Sequence, residues 1–246
     1  MIDTHCHLGE DYREVLKRAF EKKVHHVINI CIHPDDIVRG LKIVSEFPTA
    51  PMAAGIHPCH AHEVEEGHFE KIIQLAKEKK IVAIGETGLD LHHSQEHFEI
   101  QKKYFKMHIE LANDLDFALS IHCRKAYYEL KEFIEKNPIK KAILHCFAGP
   151  QQIADWALGQ GFFLSFSGVV TFKNALEMQS IATSTPIDQL LVETDAPWLA
   201  PEPFRGKTNE PAYIPFIIEK IASLKKKSKE EVSEAVFKNA KEIFHF

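Results

Sequence analysis

An alternation constrains this chain more than any other feature. Eight short runs are near-continuously apolar: Ile2–Leu8, His26–Ile32, Met52–Ile56, Ile81–Glu86, Phe117–His122, Ala142–Cys146, Phe162–Ser167 and Leu190–Glu193. Such runs suit parallel strands buried on both faces. Segments with helical periodicity lie between and after them: Tyr12–Lys23, His68–Lys79, Gln95–Leu115, Tyr127–Lys136, Gln151–Gln160, Phe172–Ala182, Tyr213–Lys226 and Lys229–Phe244. The last starts at Ser228 with Glu231 three residues on, the pattern of a capping box. Strands alternating with helices predict an α/β fold, a (β/α)8 TIM-like barrel. A doubly wound open sheet is the runner-up, weakened because no glycine-rich dinucleotide fingerprint follows any strand. No linker, low-complexity tract or repeat interrupts the pattern, so residues 1–246 read as one barrel domain.

In such a barrel the chemistry sits at the C-terminal ends of the strands. Those ends carry His5 and His7, His33, His57, Glu86, His122, His145, Ser167 and Asp195. His-X-His alone is a weak motif. On a strand its two rings share one face, about 7 Å apart. Metal-ligand residue types closing nearly every apolar run are far more specific, and they predict a metal centre. Imidazoles and carboxylates without obvious thiolates suit Zn2+, Mn2+, Fe2+ or Mg2+. The candidate ligands are His5, His7, Glu86, His122, His145 and Asp195. Six exceed the need of one open ion and suit two, about 3.5–4 Å apart, with Glu86 bridging.

Composition excludes several other classes. A net charge of −5 argues against a broad basic face for duplex DNA. Five cysteines, an odd number without CxxC spacing, read as reduced thiols. Cys6, Cys123 and Cys146 each adjoin a candidate ligand, so alternation turns them to the opposite face. No apolar run reaches membrane-spanning length and no signal peptide is visible, which sets a cytoplasmic, membrane-free expectation.

The chain resembles the TatD-type metal-dependent deoxyribonucleases, a branch of the amidohydrolase-like barrels. The matching motifs are Ile-Asp-Thr-His5-Cys-His7, Gly55-Ile-His57-Pro, Gly85-Glu86-Thr-Gly88-Leu-Asp90, Ile-His122-Cys-Arg, His145-Cys-Phe-Ala-Gly149, Glu193-Thr-Asp195-Ala-Pro-Trp-Leu-Ala-Pro201 and Arg205-Gly-Lys-Thr-Asn209-Glu210-Pro211. They run in order over nearly the whole chain. The resemblance implies a TIM-like barrel with one to three divalent ions that hydrolyses DNA phosphodiesters, often from the 3′ end of single strands. It assigns His5, His7 and Asp195 to one ion, His122 and His145 to the other, and Glu86 to both. Two departures lie beside the site: Leu91 stands where relatives often carry tyrosine, and the run Arg124-Lys-Ala-Tyr-Tyr lacks the acidic residue that relatives commonly carry there.

The resulting expectation is a hydrolase that uses two divalent ions (Mg2+, Mn2+ or Zn2+) and a metal-activated water on single-stranded or frayed DNA. Asp195 is the expected proton acceptor as well as a ligand, with Glu86 the alternative base. His57, Asp90, Arg124, Arg205 and Asn209 are the expected substrate contacts. Asp90 could instead fix a ligand histidine, and His57 could be a rim residue or lie behind a ligand. Lys173 is a further phosphate candidate, and Trp198 or Phe204 could stack on a base. A hydrolase of small amides or esters is the nearest rival, disfavoured because Ala83–Leu91 contains no lysine to carbamylate. A non-catalytic barrel protein is the more distant one. The sequence leaves the oligomeric state open, with a monomer as the default.

Overall fold

The structure is a computed structural model that describes residues 1–246. Eight strands form one parallel sheet in sequential order: β1 (Ile2–Cys6), β2 (His26–Cys31), β3 (Met52–Ala54), β4 (Ala83–Asp90), β5 (Ala118–Arg124), β6 (Ala142–Leu144), β7 (Phe163–Phe166) and β8 (Leu190–Val192). The first and last strands meet at the rim. Asp195 N–H donates to His5 O at 2.9 Å and His7 N–H to Ala196 O at 2.8 Å. With the helices outside, this is the expected TIM-type barrel.

The helices are α1 (Tyr12–Glu21), α2 (Pro34–Glu46), α3 (His68–Lys77), α4 (Phe98–Leu115), α5 (Tyr127–Lys136), α6 (Gln151–Gly159), α7 (Leu176–Ser184), α8 (Ile214–Lys225) and α9 (Lys229–Phe244). Their apolar stripes pack on the strands. Leu16, Ile72, Leu130 and Val236 are fully or almost fully buried, and each such side chain contributes roughly 1.5–3 kcal/mol. Ser228 and Glu231 cap α9 reciprocally, with Glu231 N–H on Ser228 Oγ at 3.1 Å and Ser228 N–H on Glu231 Oε2 at 2.8 Å. No helix is long and apolar enough to cross a membrane.

Several boundaries differ from the sequence expectation. Helix α2 was not among the expected segments. Strand β1 ends at Cys6, so His7 lies just past it. Strand β3 stops at Ala54 and β6 at Leu144, leaving His57 and His145 on the loops that follow. Strand β4 runs to Asp90, beyond the expected end at Glu86. Its register against β5 slips by one residue between Ile84 and Thr87. Gly85 makes that bulge possible: its φ is +133°, and a Cβ there would stand 2.5 Å from Ser120 O.

Candidate metal centre

Every candidate ligand lies at one end of the barrel, for a local reason in each case. Strand β1 delivers His5, and the bond from His7 to Ala196 holds the next turn in place. The β4 bulge sets Glu86 inside the barrel mouth, where it is 3% exposed. Strand β5 delivers His122, and the residues after β3, β6 and β8 bring His57, His145 and Asp195.

Glu86 stands at the middle of these groups. Its Oε2 lies 3.4 Å from His5 Nε2 and 3.6 Å from His7 Nε2. Its Oε1 lies 2.7 Å from His145 Nε2, 2.9 Å from His122 Nδ1 and 3.3 Å from His57 Nε2. Asp195 Oδ1 is 3.8 Å from both His5 Nε2 and His7 Nε2. Donor atoms of a tetrahedral ion with bonds of 2.0–2.1 Å are about 3.3 Å apart, so the first cluster has the spacing of a metal shell. The buried Nε2 of His5 has no hydrogen-bond partner, as an atom waiting for an ion would not. The residues present therefore fit divalent ions. His145 also converges with His5 and Asp195, its ring stacked on His5 at 3.9 Å, so the expected division of ligands into two sets is less sharp than the resemblance implies.

The outer nitrogen of each ring sets its tautomer. His122 Nε2 donates to Asp90 Oδ2 at 3.0 Å and His145 Nδ1 to Glu193 Oε1 at 3.1 Å. His5 Nδ1 is 3.5 Å from Ser120 Oγ. In the neutral rings, the bonds to Asp90 and Glu193 leave the inner nitrogens of His122 and His145 with a lone pair facing the centre. His57 is the opposite case. Its Nδ1 accepts the Cys59 N–H at 3.1 Å, so in the neutral ring Nε2 carries the hydrogen and points a donor at the centre.

Charge tells the same story. Glu86, Asp195 and Glu193 are all close together and largely buried, and uncompensated buried anions are costly. Burial opposes charge on His145, yet Glu86 and Glu193 outweigh it and hold its pKa well above the usual value. Burial, with Glu86 and Glu193 nearby, pushes Asp195 well above the usual carboxylate range, against the pull of His145. Burial likewise raises Glu86, but His145, His57 and the bonds from His122 and His145 hold it well below that range. Burial and the neighbouring His5 bring His7 down to about 3. Protons here stand in the place that metal charge takes.

The remaining expected residues divide. Asp90 is fully buried behind His122, so it is a positioning group and not a cleft contact. Asn209 is also corrected. It is 3% exposed, its amide nitrogen donates to Thr194 O at 2.8 Å and Trp198 O at 2.6 Å, and its oxygen accepts Glu210 N–H at 3.0 Å. It shapes the loop after β8 and has little left for substrate. Arg124 and Lys173 are exposed, and Arg205 lies over the Phe172 ring at 4.4 Å. Trp198 is 55% exposed and stands edge-on to His7 at 5.2 Å. Phe204 is stacked on Tyr213 at 4.2 Å, inside an aromatic cluster. Ser167 is buried against Cys146, and the partly buried His33 stands edge-on to His60 at 4.4 Å.

Sequence reasoning missed Glu193 and Asp3. Both lie in the motifs around the ligands, and only their burial shows their part. Asp3 accepts the Thr194 N–H at 2.9 Å and the His5 N–H at 3.3 Å, and so ties the β1 rim to the segment after β8.

A family profile described as "TatD related DNase" matches residues 2–245. The chain belongs to the TatD family. This TatD-family chain is 36% identical over 251 residues to the uncharacterized metal-dependent hydrolase YabD of Bacillus subtilis, covering 99% of this chain and 98% of that one. It is 33% identical to the uncharacterized metal-dependent hydrolase YcfH of Escherichia coli K12, covering 100% and 96%. Its fold superposes with a TM-score of 0.94 on YjjV, a TatD homolog from Escherichia coli K12, at 25% identity and 100% and 98% coverage. Together these relatives and the donor set make it a metal-dependent hydrolase.

Proposed function

We propose that this TatD-family hydrolase cleaves DNA phosphodiesters, removing nucleotides from the 3′ end of single-stranded or frayed DNA. The observation that carries the reading is Glu86, whose two oxygens face two groups of imidazoles and so suit a pair of ions. Bound there, divalent ions supply Lewis acidity and positive charge, which acidify water and offset the charge on the phosphate and the leaving oxygen.

The chain's own groups do the rest. Asp195 faces the His5–His7 pair through Oδ1, leaving Oδ2 to accept the proton of the attacking water. Glu193 and Asp90 hold His145 and His122 in the tautomers that face the centre. His57 offers a hydrogen from Nε2 to a phosphate or leaving oxygen. Trp198, exposed beside His7, is a platform for a terminal base, worth about 1–3 kcal/mol. Arg124, Arg205 and Lys173 contact phosphates from the rim. With a net charge of −5, such binding is weak and salt-sensitive, and suits short or frayed ends.

The test strips the metal, reloads the chain with Mg2+, Mn2+ or Zn2+, and supplies 5′- and 3′-labelled single-stranded and duplex DNA, RNA and a panel of amides and esters. A ladder shortening from the 3′ end supports the reading. Turnover of amides or esters without DNA cleavage overturns it.

A further inference from the structure

Past the ends of β3 and β4, three side chains meet outside the group that Glu86 gathers. Cys59, Asp90 and His93 each present one donor atom, all within 4.8 Å of one another. Asp90 is fully buried, Cys59 partly buried, and the His93 side chain is 51% exposed, so solvent reaches the cluster. Oδ1 of Asp90 accepts the N–H groups of His92 and His93, each at 2.7 Å, which locks the carboxylate in place. Oδ2 takes the His93 ring at Nδ1, 3.2 Å away, and the His122 ring at Nε2, 3.0 Å away.

We propose that Cys59, Asp90 and His93 form a separate site for one borderline divalent cation such as Zn2+, with water completing its shell. A sulfur, a carboxylate oxygen and an imidazole nitrogen make a donor set that favours such an ion over Mg2+ or Ca2+. The clusters around Glu86 contain no sulfur. On binding, the cation displaces the Cys59 thiol proton, which leaves to solvent, and the His93 ring proton moves from Nδ1 to Nε2. Two anionic ligands then neutralise the charge of the ion. Asp90 connects this rim site to the hydrolytic centre, because the carboxylate that would hold the cation also holds His122.

Cobalt gives a readout independent of activity. The metal-free chain is titrated with Co2+ and followed in the near ultraviolet, where only sulfur ligation gives a thiolate-to-metal charge-transfer band. The band is expected in the natural chain, saturating at one sulfur-bound ion, and lost in Cys59→Ser. In His93→Ala its midpoint moves to a Co2+ concentration about tenfold higher or more. The visible bands of the other bound ions remain in both variants, and circular dichroism checks that both are folded. Absence of the band from the natural chain at saturating Co2+, or its survival in Cys59→Ser, overturns the proposal.

Discussion

Nδ1 of His145 lies 3.1 Å from Oε1 of Glu193, a carboxylate with no exposed surface. The opposite nitrogen of the same ring meets Glu86 at 2.7 Å. The ring is thus clamped between two buried carboxylates, one behind the metal centre and one within it. Glu193→Gln keeps an oxygen for the ring N–H and removes the charge. The variant is expected to fold and to bind its ions about 10–100-fold more weakly. Competition with a chromogenic chelator measures this, and unchanged affinity would show that Glu193 contributes packing alone.

Asp195 sits where the barrel closes, its N–H on His5 O and its carboxylate between the His5–His7 pair and the opening. Asp195→Asn retains the shape and loses the proton acceptor. Turnover should fall by about 10²–10⁴-fold at saturating metal, with the melting temperature little changed. Near-native turnover in this variant would remove Asp195 from the proton-accepting role.

Removal of the ions should lower stability. Without them the buried carboxylates at the centre are balanced only by protons, and a ligand present at 100 times its Kd stabilises the fold by about 2.7 kcal/mol per site. Calorimetry with and without chelator should show a lower melting temperature that Mn2+ or Zn2+ restores. An identical transition in both conditions would mean that the centre forms no metal-linked part of the native state.

His108 lies fully buried on α4 and joins that helix to the residue before His57. Its Nε2 accepts the Ile56 N–H at 3.0 Å and its Nδ1 donates to Tyr104 O at 2.7 Å. Burial lowers its pKa from 6.5 to about 4, outweighing the Tyr104 carbonyl. Between those values the unfolded chain binds a proton that the native chain does not, so stability rises with pH. The His108 contribution is complete above about 6.5 and is lost as pH falls towards 4, by roughly 3 kcal/mol as an upper figure. His7 and His57 are also held low, so the comparison is with His108→Gln, whose denaturant midpoint should depend less on pH across this window. Equal slopes would assign the acid sensitivity to the other histidines.

Sequence periodicity located most of the helices but not α2. That helix buries Ile37, Gly40 and Ile43, and a glycine in the middle of the stripe weakens the helical signal. Gly40 is there because the helix presses on the sheet: a Cβ would stand 2.7 Å from both Cys31 Sγ and Met52 Sδ. Such a reason lies in the neighbour and not in the local pattern. Asn209 was misread on similar grounds. A polar residue in a loop after β8 looks like a substrate contact until the backbone groups that occupy its amide are seen.

By itself the sequence determined the alternation of strands and helices, and with it a barrel whose C-terminal rim carries His5, His7, Glu86, His122, His145 and Asp195. These follow from local hydrophobic period and from residue type, which are written along the chain. Tertiary structure alone decided which nitrogen of each ring faces the centre, that Glu86 offers one oxygen to each group, and that Asp90, Glu193 and Asp3 stand behind the ligands. It also brought Cys59 to Asp90 and His93 across 31 positions or more of chain. Those relationships depend on distances set by strand register and barrel closure, which join residues far apart in sequence and leave no periodic trace in it.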